Sequence, residues 1–491
     1  MYTKLLKMVT NLGSPRVLLA GDFMLDSYVY GDALRISPEA PVPVLKVVKR
    51  EHAAGGAGSV AADLAALGAK AICIGTIGDD SNGQILSELL SGAGADIANI
   101  ITVARRPTIS KQRLVGLAQH RHRQQLMRID EEDTNSYSAD EYEKIFAAYS
   151  AGLGRCDIVC LQDYNKGIFE PAFCQRLIMA AKAAGKKVLV DPSPITDYSR
   201  YKGATVITPN RKEAGLATGL QIETQQDAAR AADILAEKFD IEAVVITLDK
   251  EGAYLRTKTV SESVPTVARS VYDVTGAGDV VLATLAVTIS AGCDYMTAVE
   301  LSNIAGGIEV EKFGVATVSI DEMVNEIIGR NRSKAGKIRD IDSLVAELNY
   351  HRMGGQKIVF TNGCFDVLHR GHIEYLAFCK TQGDIVVLGL NSDDSVRRNK
   401  GPSRPINNQH DRAAVLAALE CIDYVAVFDE DTPLNIIMKV KPDVLVKGED
   451  WAAKGVVGRE FVEANGGKVV LAKMVEGKSS TATIEKMKAN G

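Results

Sequence analysis

Asp273-Val-Thr-Gly-Ala-Gly-Asp279 runs directly into the apolar stretch Val280–Ala286, whose spacing is typical of a buried helix. A glycine-rich turn that opens a helix leaves backbone N–H groups without partners at the positive end of the helix dipole. Such a turn suits phosphate oxygens. Asp279 follows the turn, where a carboxylate can accept a proton from an incoming hydroxyl. The stretch predicts phosphoryl transfer, although a simple glycine turn with a solvated aspartate also explains it.

The residues before this turn alternate apolar, strand-like runs with helical patterns. The predicted strands are Val17–Asp22, Ala71–Thr76, Asp157–Gln162, Lys187–Asp191, Thr205–Pro209 and Ala243–Leu248. This alternation predicts an α/β fold with a mostly parallel sheet that is covered on both faces. Ligands bind such sheets beyond the carboxyl ends of the strands, and the candidate motifs fall at those ends.

Length and composition limit the kind of protein. The 491 residues suggest about three units of ~150 residues. A net charge of −5 argues against a surface that coats nucleic acid, and no apolar run approaches the ~18 residues of a membrane span. The N-terminus has no secretory signal, and the eight cysteines have no paired spacing. We therefore expect a cytoplasmic protein without a structural metal, bound to neither nucleic acid nor membrane.

Two groups of residues near the N-terminus have the chemistry of a sugar site. Asp22 and Asp26 follow the first strand and can accept hydrogen bonds from sugar hydroxyls, although turn formation explains them equally well. The proline-rich stretch 35–44 suits a strand or flap at a sheet edge. Gly55 and Gly56 then open a helix, where backbone can approach a ligand closely.

A basic segment lies between Arg105 and Arg128. It includes Lys111, Arg113, His120, Arg121, His122 and Arg123. A solvated face is one interpretation, and a cationic rim for a phosphorylated substrate is the other. Asp163-Tyr-Asn-Lys166 follows a buried strand a little further along the chain.

Polar residues also follow the later strands. Asn210 and Glu213 have the spacing of a capping box, and the Glu213 carboxylate at this place can also hold a metal-bound water near phosphates. Thr247–Gly252 forms a turn after the last central strand, and Asn303 lies on a later helix.

The spacing of these pieces resembles the ribokinase-like carbohydrate kinase family over the whole first part of the chain. The resemblance implies that Asp279 is the base that deprotonates the acceptor hydroxyl and that Gly276, Ala277 and Gly278 form the anion hole. It places Asn303 near the adenine and includes Gly55, Gly56, Asp163 and Lys166 among its matching stretches. We assign these four residues to the sugar side together with Asp22, Asp26, Lys111 and Arg113. The ATP–Mg²⁺ side comprises Asn210, Arg211, Lys212, Glu213, Thr247 and Gly252. The sequence departs from the family pattern at Asp249 and at Ser59, where an asparagine is usual.

A boundary follows this part of the chain. Gly329–Arg339 is basic and nearly devoid of apolar side chains, which predicts an exposed linker, and Asp340–Met353 has helical periodicity. We therefore expect one domain over 1–330, a linker and connecting helix over 331–355, and a second α/β domain over 356–491.

The second α/β pattern contains a pair of histidines at the start of a helix. A buried strand ends at Gly363, and Phe365 precedes His369-Arg-Gly-His372. This arrangement puts two imidazoles and free N–H groups where a phosphate chain can approach; a zinc site is the alternative, but it lacks a third ligand in sequence. Basic and hydroxyl residues that can bind phosphates follow at Lys400, Arg404, Lys447, Ser480 and Thr481.

This half resembles the HxGH nucleotidylyltransferases, the cytidylyltransferase-like superfamily with a Rossmann-like α/β domain. The resemblance implies that His369 and His372 stabilise charge on the α-phosphate of a nucleoside triphosphate. It also implies that Gly363, Phe365, Lys400, Arg404, Lys447, Ser480 and Thr481 bind ATP.

The whole chain closely resembles the family of bifunctional heptose 7-phosphate kinase/heptose 1-phosphate adenylyltransferases. Arg35–Val44 and Thr361–His372 are its most characteristic stretches. The resemblance implies a ribokinase-like α/β sandwich with a small β flap, ATP as substrate, Mg²⁺ and a homodimer. It implies phosphorylation of D-glycero-β-D-manno-heptose 7-phosphate at O1 and adenylyl transfer to heptose 1-phosphate for lipopolysaccharide core. A fusion acting on another sugar phosphate or using CTP remains an alternative, as does a nucleotide-binding sensor that does not turn over.

Overall fold

The computed structural model describes residues 2–117, 124–266, 276–312 and 316–473. These residues form two compact units, one over 11–323 and one that joins 1–10 to 324–491. Among the residues described, no helix is long and apolar enough to span a membrane.

The strands and helices alternate through most of the chain. The strands are β1 (Arg16–Gly21), β2 (Phe23–Ile36), β3 (Pro43–Gly56), β4 (Lys70–Ile77), β5 (Ile100–Thr102), β6 (Ser110–Gly116), β7 (Gln124–Glu131), β8 (Ile158–Gln162), β9 (Val188–Asp191), β10 (Val206–Ile207), β11 (Ala243–Thr247), β12 (Ala253–Arg256), β13 (Ser261–Val264), β14 (Ile358–Gly363), β15 (Ile385–Asn391), β16 (Tyr424–Phe428), β17 (Val444–Gly448) and β18 (Lys468–Ala472). The helices are α1 (Tyr2–Val9), α2 (Ala57–Ala66), α3 (Ser81–Gly92), α4 (Ala139–Leu153), α5 (Pro171–Ala183), α6 (Arg211–Thr218), α7 (Gln225–Lys238), α8 (Ala277–Ser290), α9 (Tyr295–Glu309), α10 (Ile320–Ala335), α11 (Ile341–Met353), α12 (Arg370–Lys380), α13 (Asp393–Lys400), α14 (Gln409–Ala417), α15 (Leu434–Val440) and α16 (Arg459–Ala464).

The first unit is built on a large sheet with the order β13-β12-β11-β10-β9-β8-β1-β4-β5. The strands are parallel from β5 to β11, and β12 and β13 are antiparallel. Strands β8 and β11 are buried along nearly their whole length because helices cover both faces of the sheet. The predicted mostly parallel sheet is confirmed, and its parallel strands end at one common edge.

A second, four-stranded sheet of order β3-β2-β6-β7 forms the predicted flap. The proline-rich stretch lies at the hairpin that joins β2 to β3, with Arg35 and Ile36 at the end of one strand and Pro43 at the start of the next. Strand β7 is exposed along its whole length. The flap therefore has an open surface with apolar side chains, including Val48 and Met127.

The second unit has a parallel sheet of order β16-β15-β14-β17-β18. Helix α1, which the sequence assigned to the first domain, packs in this second unit. Leu5, Leu6 and Val9 are buried, and the Tyr2 hydroxyl donates to Oε1 of Glu347 on α11 at 2.5 Å.

The segment Gly329–Arg339, predicted as an exposed linker, is helical at its start and contains a buried arginine at its end. Helix α10 continues to Ala335, and Arg339 is only 4% exposed. The Arg339 guanidinium donates to Oε1 of Glu347 at 2.5 Å, so its charge is paired inside the unit. Composition alone counted the charge of Arg339 as solvated because its partner, Glu347 on α11, comes later in the chain.

Candidate active sites

The first candidate site lies at the edge of the large sheet where its parallel strands end. Asp22 follows β1, Gln162 ends β8 and Asp191 ends β9. Asp279 joins them from the first turn of α8. The candidate residues therefore lie at the carboxyl ends of the parallel strands, where the sequence analysis expected them.

One oxygen of the Asp279 carboxylate accepts two hydrogen bonds. Asp279 is only 5% exposed, and Oδ1 accepts bonds from Nε2 of Gln162 at 2.8 Å and from the Tyr164 hydroxyl at 3.0 Å. Burial, followed by the nearby charge of Asp191, raises the pKa of Asp279 to about 8. A carboxyl whose pKa lies near the working pH suits a group that takes up a proton during each turnover.

The glycine turn before Asp279 has little room for side chains. Gly276 caps α8 with a φ of 96°, a left-handed conformation that favours glycine. A Cβ at Gly276 would collide with Oε1 of Glu309, and a Cβ at Gly278 would come within 3.6 Å of Oδ2 of Asp191. Ala277 is the first residue of the helix. The preceding residues, Asp273–Thr275, lie outside the described part of the chain.

The sequence did not identify Gln162, Tyr164 or Asp191 as site residues. Nε2 of Gln162 donates to Oδ2 of Asp191 at 2.8 Å as well as to Asp279. The Thr208 hydroxyl donates to Oδ1 of Asp191 at 2.8 Å, and burial raises the pKa of Asp191 to about 6. Asp191 ends a correctly predicted strand, so its position was a usable signal. Gln162 gave no signal because a single glutamine at the end of a strand belongs to no recognisable motif.

Asp22 and Asp163 organise the loop that follows β8. Oδ2 of Asp22 accepts the backbone N–H groups of Tyr164 at 2.9 Å and Lys166 at 3.3 Å, and burial and the charge of Asp163 raise its pKa to about 7. Asp163 accepts from the Tyr201 hydroxyl at 2.5 Å and from Arg200 at 3.3 Å. Both carboxylates therefore hold this loop in place, and their contact with a sugar stays a prediction.

The predicted sugar-side residues of the flap are brought together. Asp26 on β2 forms an ion pair with Arg113 on β6, and Gly55 on β3 leaves the space that the Asp26 carboxylate occupies. Gly56 adopts a φ of 57° where β3 passes into α2. The Arg113 guanidinium is thus engaged by Asp26.

Lys111 and Lys166 differ in their surroundings. Nζ of Lys111 lies 5.2 Å from the centre of the Tyr164 ring, and burial lowers the pKa of this lysine. Lys166 forms an ion pair with Glu132 at 2.7 Å. His120, Arg121, His122 and Arg123 of the basic segment lie outside the described residues.

The residues predicted on the nucleotide side, apart from the buried Gly252, are more exposed to solvent than Asp279 and the buried aspartates around it. Asn210 and Glu213 form the capping box of α6, and burial and the charge of Asp191 raise the pKa of Glu213 to about 7. Arg211 donates to Asp249 and to two carbonyl oxygens, so its side chain fastens the turn after β11. Of the other predicted residues on this side, Lys212 is exposed and Thr247 lies beside Asn210. Gly252 has a φ of 96°. The side-chain amide of Asn303 donates to the carbonyl of Val264 at 2.8 Å.

Ser59, one of the departures from the family pattern, lies on α2 beside Asp279. It is 2% exposed, and its hydroxyl lowers the pKa of Asp279, against the stronger effect of burial. A hydroxyl at this position therefore still reaches the candidate base.

The second candidate site lies at the N-terminus of α12. His369 caps the helix, the backbone N–H of His372 donates to the His369 carbonyl at 2.9 Å, and the two rings stack with centroids 3.9 Å apart. Burial, followed by the charge of His369, lowers the pKa of His372 to about 4. Phe365 packs against His372 at a ring distance of 5.2 Å, and the ring of Phe365 leaves no room for a side chain at Gly363.

The basic residues predicted around this site are partly buried. Arg404 forms an ion pair with Asp366, and Lys447 donates to the side-chain oxygen of Asn362. Lys447 is 5% exposed, and burial lowers its pKa to about 8. Lys400 ends α13 and is exposed, whereas Ser480 and Thr481 lie outside the described residues.

Comparison with known proteins gives each half of the chain a family. The profile of pfkB family carbohydrate kinases matches residues 15–323, and the cytidylyltransferase-like profile matches residues 360–482. Solved structures of phosphofructokinase-2 from Escherichia coli share the fold of the first unit. The complex with substrates and products has a TM-score of 0.53 at 20% identity and covers 65% of this chain and 100% of its own. The complex with fructose-6-phosphate has a TM-score of 0.52 at 18% identity, with the same coverage.

Curated relatives match both halves in one chain. Bifunctional protein HldE of Pelobacter propionicus is 45% identical over 471 residues, which cover 96% of this chain and 95% of the relative. Bifunctional protein HldE of Geobacter sulfurreducens is 44% identical over 482 residues, with coverage of 98% and 97%. The predicted carbohydrate kinase and nucleotidyltransferase halves are thereby confirmed. The chain belongs to the HldE family of bifunctional proteins, with a pfkB family carbohydrate kinase followed by a cytidylyltransferase-like domain.

Proposed function

We propose that the first unit phosphorylates D-glycero-β-D-manno-heptose 7-phosphate at O1 with ATP, and that the second unit transfers AMP from ATP to heptose 1-phosphate. The products are the 1,7-bisphosphate in the first step and ADP-heptose with pyrophosphate in the second, for lipopolysaccharide core. Membership of the HldE family supports this assignment. The observation that carries it is that one chain holds both a buried carboxylate beside a glycine-capped helix and a histidine pair at a second helix N-terminus.

In the kinase step Asp279 is the base. Oδ1 is occupied by two donors, so Oδ2 is the oxygen that accepts the proton as the O–H bond of the sugar hydroxyl breaks. The hydroxyl oxygen bonds to the γ-phosphorus of ATP, and the bond from that phosphorus to the β-phosphate bridge breaks to release ADP. Backbone N–H groups of Gly276, Ala277 and Gly278 stabilise the charge on the transferred group.

Mg²⁺ bound with ATP fits the oxygen donors on the nucleotide side. Glu213 is half-buried, and its Oε2 accepts the backbone N–H of Asn210 at 2.9 Å, which orients the carboxylate at the start of α6. Carboxylate oxygen is a donor that Mg²⁺ prefers, and Glu213 would hold the ion directly or through water. When bound, the ion supplies positive charge that reduces the repulsion between the triphosphate and the sugar oxygen.

In the transferase step no proton has to be removed from the attacking group. An oxygen of heptose 1-phosphate bonds to the α-phosphorus of ATP, and the bond to the bridging oxygen breaks so that pyrophosphate leaves. His369 and His372 neutralise charge at the α-phosphate, and we assign Lys400, Arg404, Lys447, Ser480 and Thr481 to the triphosphate. Between the two steps a separate phosphatase must remove the 7-phosphate.

We also propose that the chain is a cytoplasmic homodimer. ATP and sugar phosphates are cytoplasmic substrates. The flap carries exposed apolar side chains on β3 and β7, namely Val47, Val48, Leu126, Met127 and Ile129, and burying them against a second copy would remove this surface from water. Sedimentation equilibrium of the wild-type chain and of Val48→Asp tests this: a dimer that dissociates in the variant supports it, and a wild-type monomer refutes it.

The function is tested with a two-step assay. Heptose 7-phosphate, ATP and Mg²⁺ should yield ADP, and after phosphatase treatment the same chain should release pyrophosphate and form ADP-heptose. Pyrophosphate release with CTP instead of ATP would contradict the nucleotide assignment. Binding of ATP without turnover at either site would favour a sensor over an enzyme.

A further inference from the structure

Gln162 joins two buried carboxylates at the kinase site. Its side chain is 1% exposed, and Nε2 lies 2.8 Å from Oδ1 of Asp279 and 2.8 Å from Oδ2 of Asp191. A primary amide nitrogen carries two hydrogens, so each carboxylate receives one of them. The opposite amide orientation would place the Gln162 carbonyl oxygen against both carboxyl groups, which is unfavourable whenever they are ionised, as Asp279 must be to act as the base.

The same two carboxylates have other donors that reach only one of them. The Tyr164 hydroxyl donates to Asp279 at 3.0 Å, and the Thr208 hydroxyl donates to Asp191 at 2.8 Å. Gln162 therefore differs from both neighbours because its amide bonds to the candidate base and to the second carboxylate at once. Oε1 of Gln162 is buried and has no hydrogen-bond partner in the part of the chain that the structure describes.

We propose that Gln162 is a positioning residue for the phosphoryl transfer, which orients Asp279 by holding Oδ1 and so directs Oδ2 to the acceptor hydroxyl. This inference rests on the assignment of Asp279 as the base. Gln162 makes no contact with the reacting atoms in this scheme. Its amide also donates to Oδ2 of Asp191. This bond holds the Asp191 carboxylate against Gln162, so that Asp191 does not compete with Asp279 for the proton of the hydroxyl.

The amide also favours the ionised form of Asp279. A hydrogen bond donated to a carboxylate stabilises the charged state, and Asp279 lies among groups that oppose its ionisation. The titratable and charged groups that face it or its turn are Asp26, Asp63, Tyr164, Asp191 and Glu309. Loss of the Gln162 amide should therefore move the acid limb of kcat/KM to higher pH.

The test is the pH profile of ADP formation by the full-length chain, measured from pH 6 to pH 10 with heptose 7-phosphate. Gln162→Met keeps the length of the side chain and removes the donor. We expect its acid limb to lie about one pH unit higher than that of the wild type, since one charged hydrogen bond corresponds to roughly a tenfold change in ionisation. At pH 7 kcat should fall at least about tenfold, with a smaller loss at pH 9 and KM for ATP within about twofold.

Thr208→Val is the matched control. It is isosteric and removes one hydrogen bond to Asp191, but Gln162 and Tyr164 still donate to Oδ1 of Asp279. We expect its acid limb to stay close to that of the wild type. If Gln162→Met moves the limb no further than Thr208→Val, or lowers kcat equally at every pH, Gln162 is only a packing residue and the proposal is wrong.

Two measurements separate this proposal from failures of other kinds. The transferase activity of each preparation normalises the amount of active protein, and thermal melting shows whether the variant is folded. If Gln162→Met does not fold, Gln162→Ala removes the same donor with a smaller side chain. Wild-type chain without kinase activity, or fully active Asp279→Asn, would refute the proposed function itself. An active wild type, an inactive Asp279→Asn and an unshifted Gln162→Met refute the role of Gln162 alone.

Discussion

The two candidate sites use a helix N-terminus in opposite ways. At the start of α8 the first unit gathers buried carboxylates, with Asp279 and Asp191 tied to one amide. At the start of α12 the second unit gathers imidazoles, with the basic Lys447 and Arg404 as further predicted members. The difference follows from the nucleophile. A sugar hydroxyl must lose a proton as it attacks, whereas a sugar phosphate attacks already ionised and needs only positive charge around the α-phosphate.

Burial has opposite effects on the two sites. It raises the pKa of Asp279 to about 8, and it lowers the pKa of His372 to about 4 and that of Lys447 to about 8. In each case the low dielectric of the site disfavours the charged form. On the proposed function, we expect a bound triphosphate to restore charge to the basic site, because its negative charge favours protonated histidine and lysine.

Asp279→Asn should have the largest effect. The amide cannot accept the proton, so kinase kcat should fall by about 10³-fold, near the middle of the range for loss of a general base. ADP release from heptose 7-phosphate measures this, with the adenylyltransferase activity of the same preparation as its control. Loss of both activities would contradict two independent sites.

His372→Ala should lower the transferase activity and leave the kinase activity intact, with a smaller effect than that of Asp279→Asn. Removing one of the two imidazoles should lower pyrophosphate release by about 10²-fold, since a single charge-stabilising donor contributes about that much. Kinase activity should stay at the wild-type level. His410→Ala is the matched control, because His410 lies on α14 and belongs to neither predicted site. An equal loss in both histidine variants would argue that the effect is structural.

The third prediction concerns pH. Asp279 must be ionised to act, so kcat/KM of the kinase should rise with pH with a midpoint at about 8 and reach its plateau only above that pH. The free energy of unfolding of the first unit should change in the opposite direction, falling as pH rises. An unfolded aspartate titrates near 4, so folding favours the protonated form, and this contribution is complete below pH 4 and lost as pH rises through 8.

The pKa of His372 predicts that the stability of the second unit falls as pH falls. Its folded pKa of about 4 lies below the ~6.5 of an unfolded histidine, so its contribution is complete above pH 6.5 and lost as pH falls through 4. Hydrogen exchange of peptides from each unit, compared between pH 5 and pH 8, measures both trends. Asp279→Asn should reduce the slope of the first unit only, since Asp22, Asp191 and Glu213 also titrate there with raised pKa values, and equal slopes in the two units would contradict the contrast.

The sequence predicted the parts of both sites that depend on local spacing. A glycine turn before a helix and a histidine pair at a helix start are visible within a few residues, and strand ends located Asp22 and Asp163. The alternation of strands and helices likewise predicted the parallel sheets. Each of these features depends on the order of nearby residues.

What the sequence missed depends on contacts between distant segments. Gln162 meets Asp279 only because β8 and α8 converge at one sheet edge, 117 residues apart in sequence. Arg339 was taken as solvated because its partner Glu347 becomes a neighbour only when α11 packs. Helix α1 was assigned by sequence order, although its apolar face belongs with the second unit.

The last prediction concerns Lys111 and asks whether the acidic kinase site also uses a lysine to bind the 7-phosphate. The ion pair with Asp26 engages Arg113, and Lys166 is engaged by Glu132, whereas Lys111 lies against the Tyr164 ring beside the candidate base. We therefore expect Lys111→Met to raise KM for heptose 7-phosphate about tenfold, the effect of losing one charge-assisted hydrogen bond, with KM for ATP unchanged.

The control for this prediction is Arg128→Met in the same basic segment. Arg128 is half-exposed and pairs with Asp130, so its loss should leave KM for the sugar unchanged. Steady-state kinetics with the 7-phosphate give both values. An unchanged KM in Lys111→Met would place the 7-phosphate elsewhere in the site. The kinase site would then bind its sugar without this lysine, and the contrast with the basic transferase site would be sharper still.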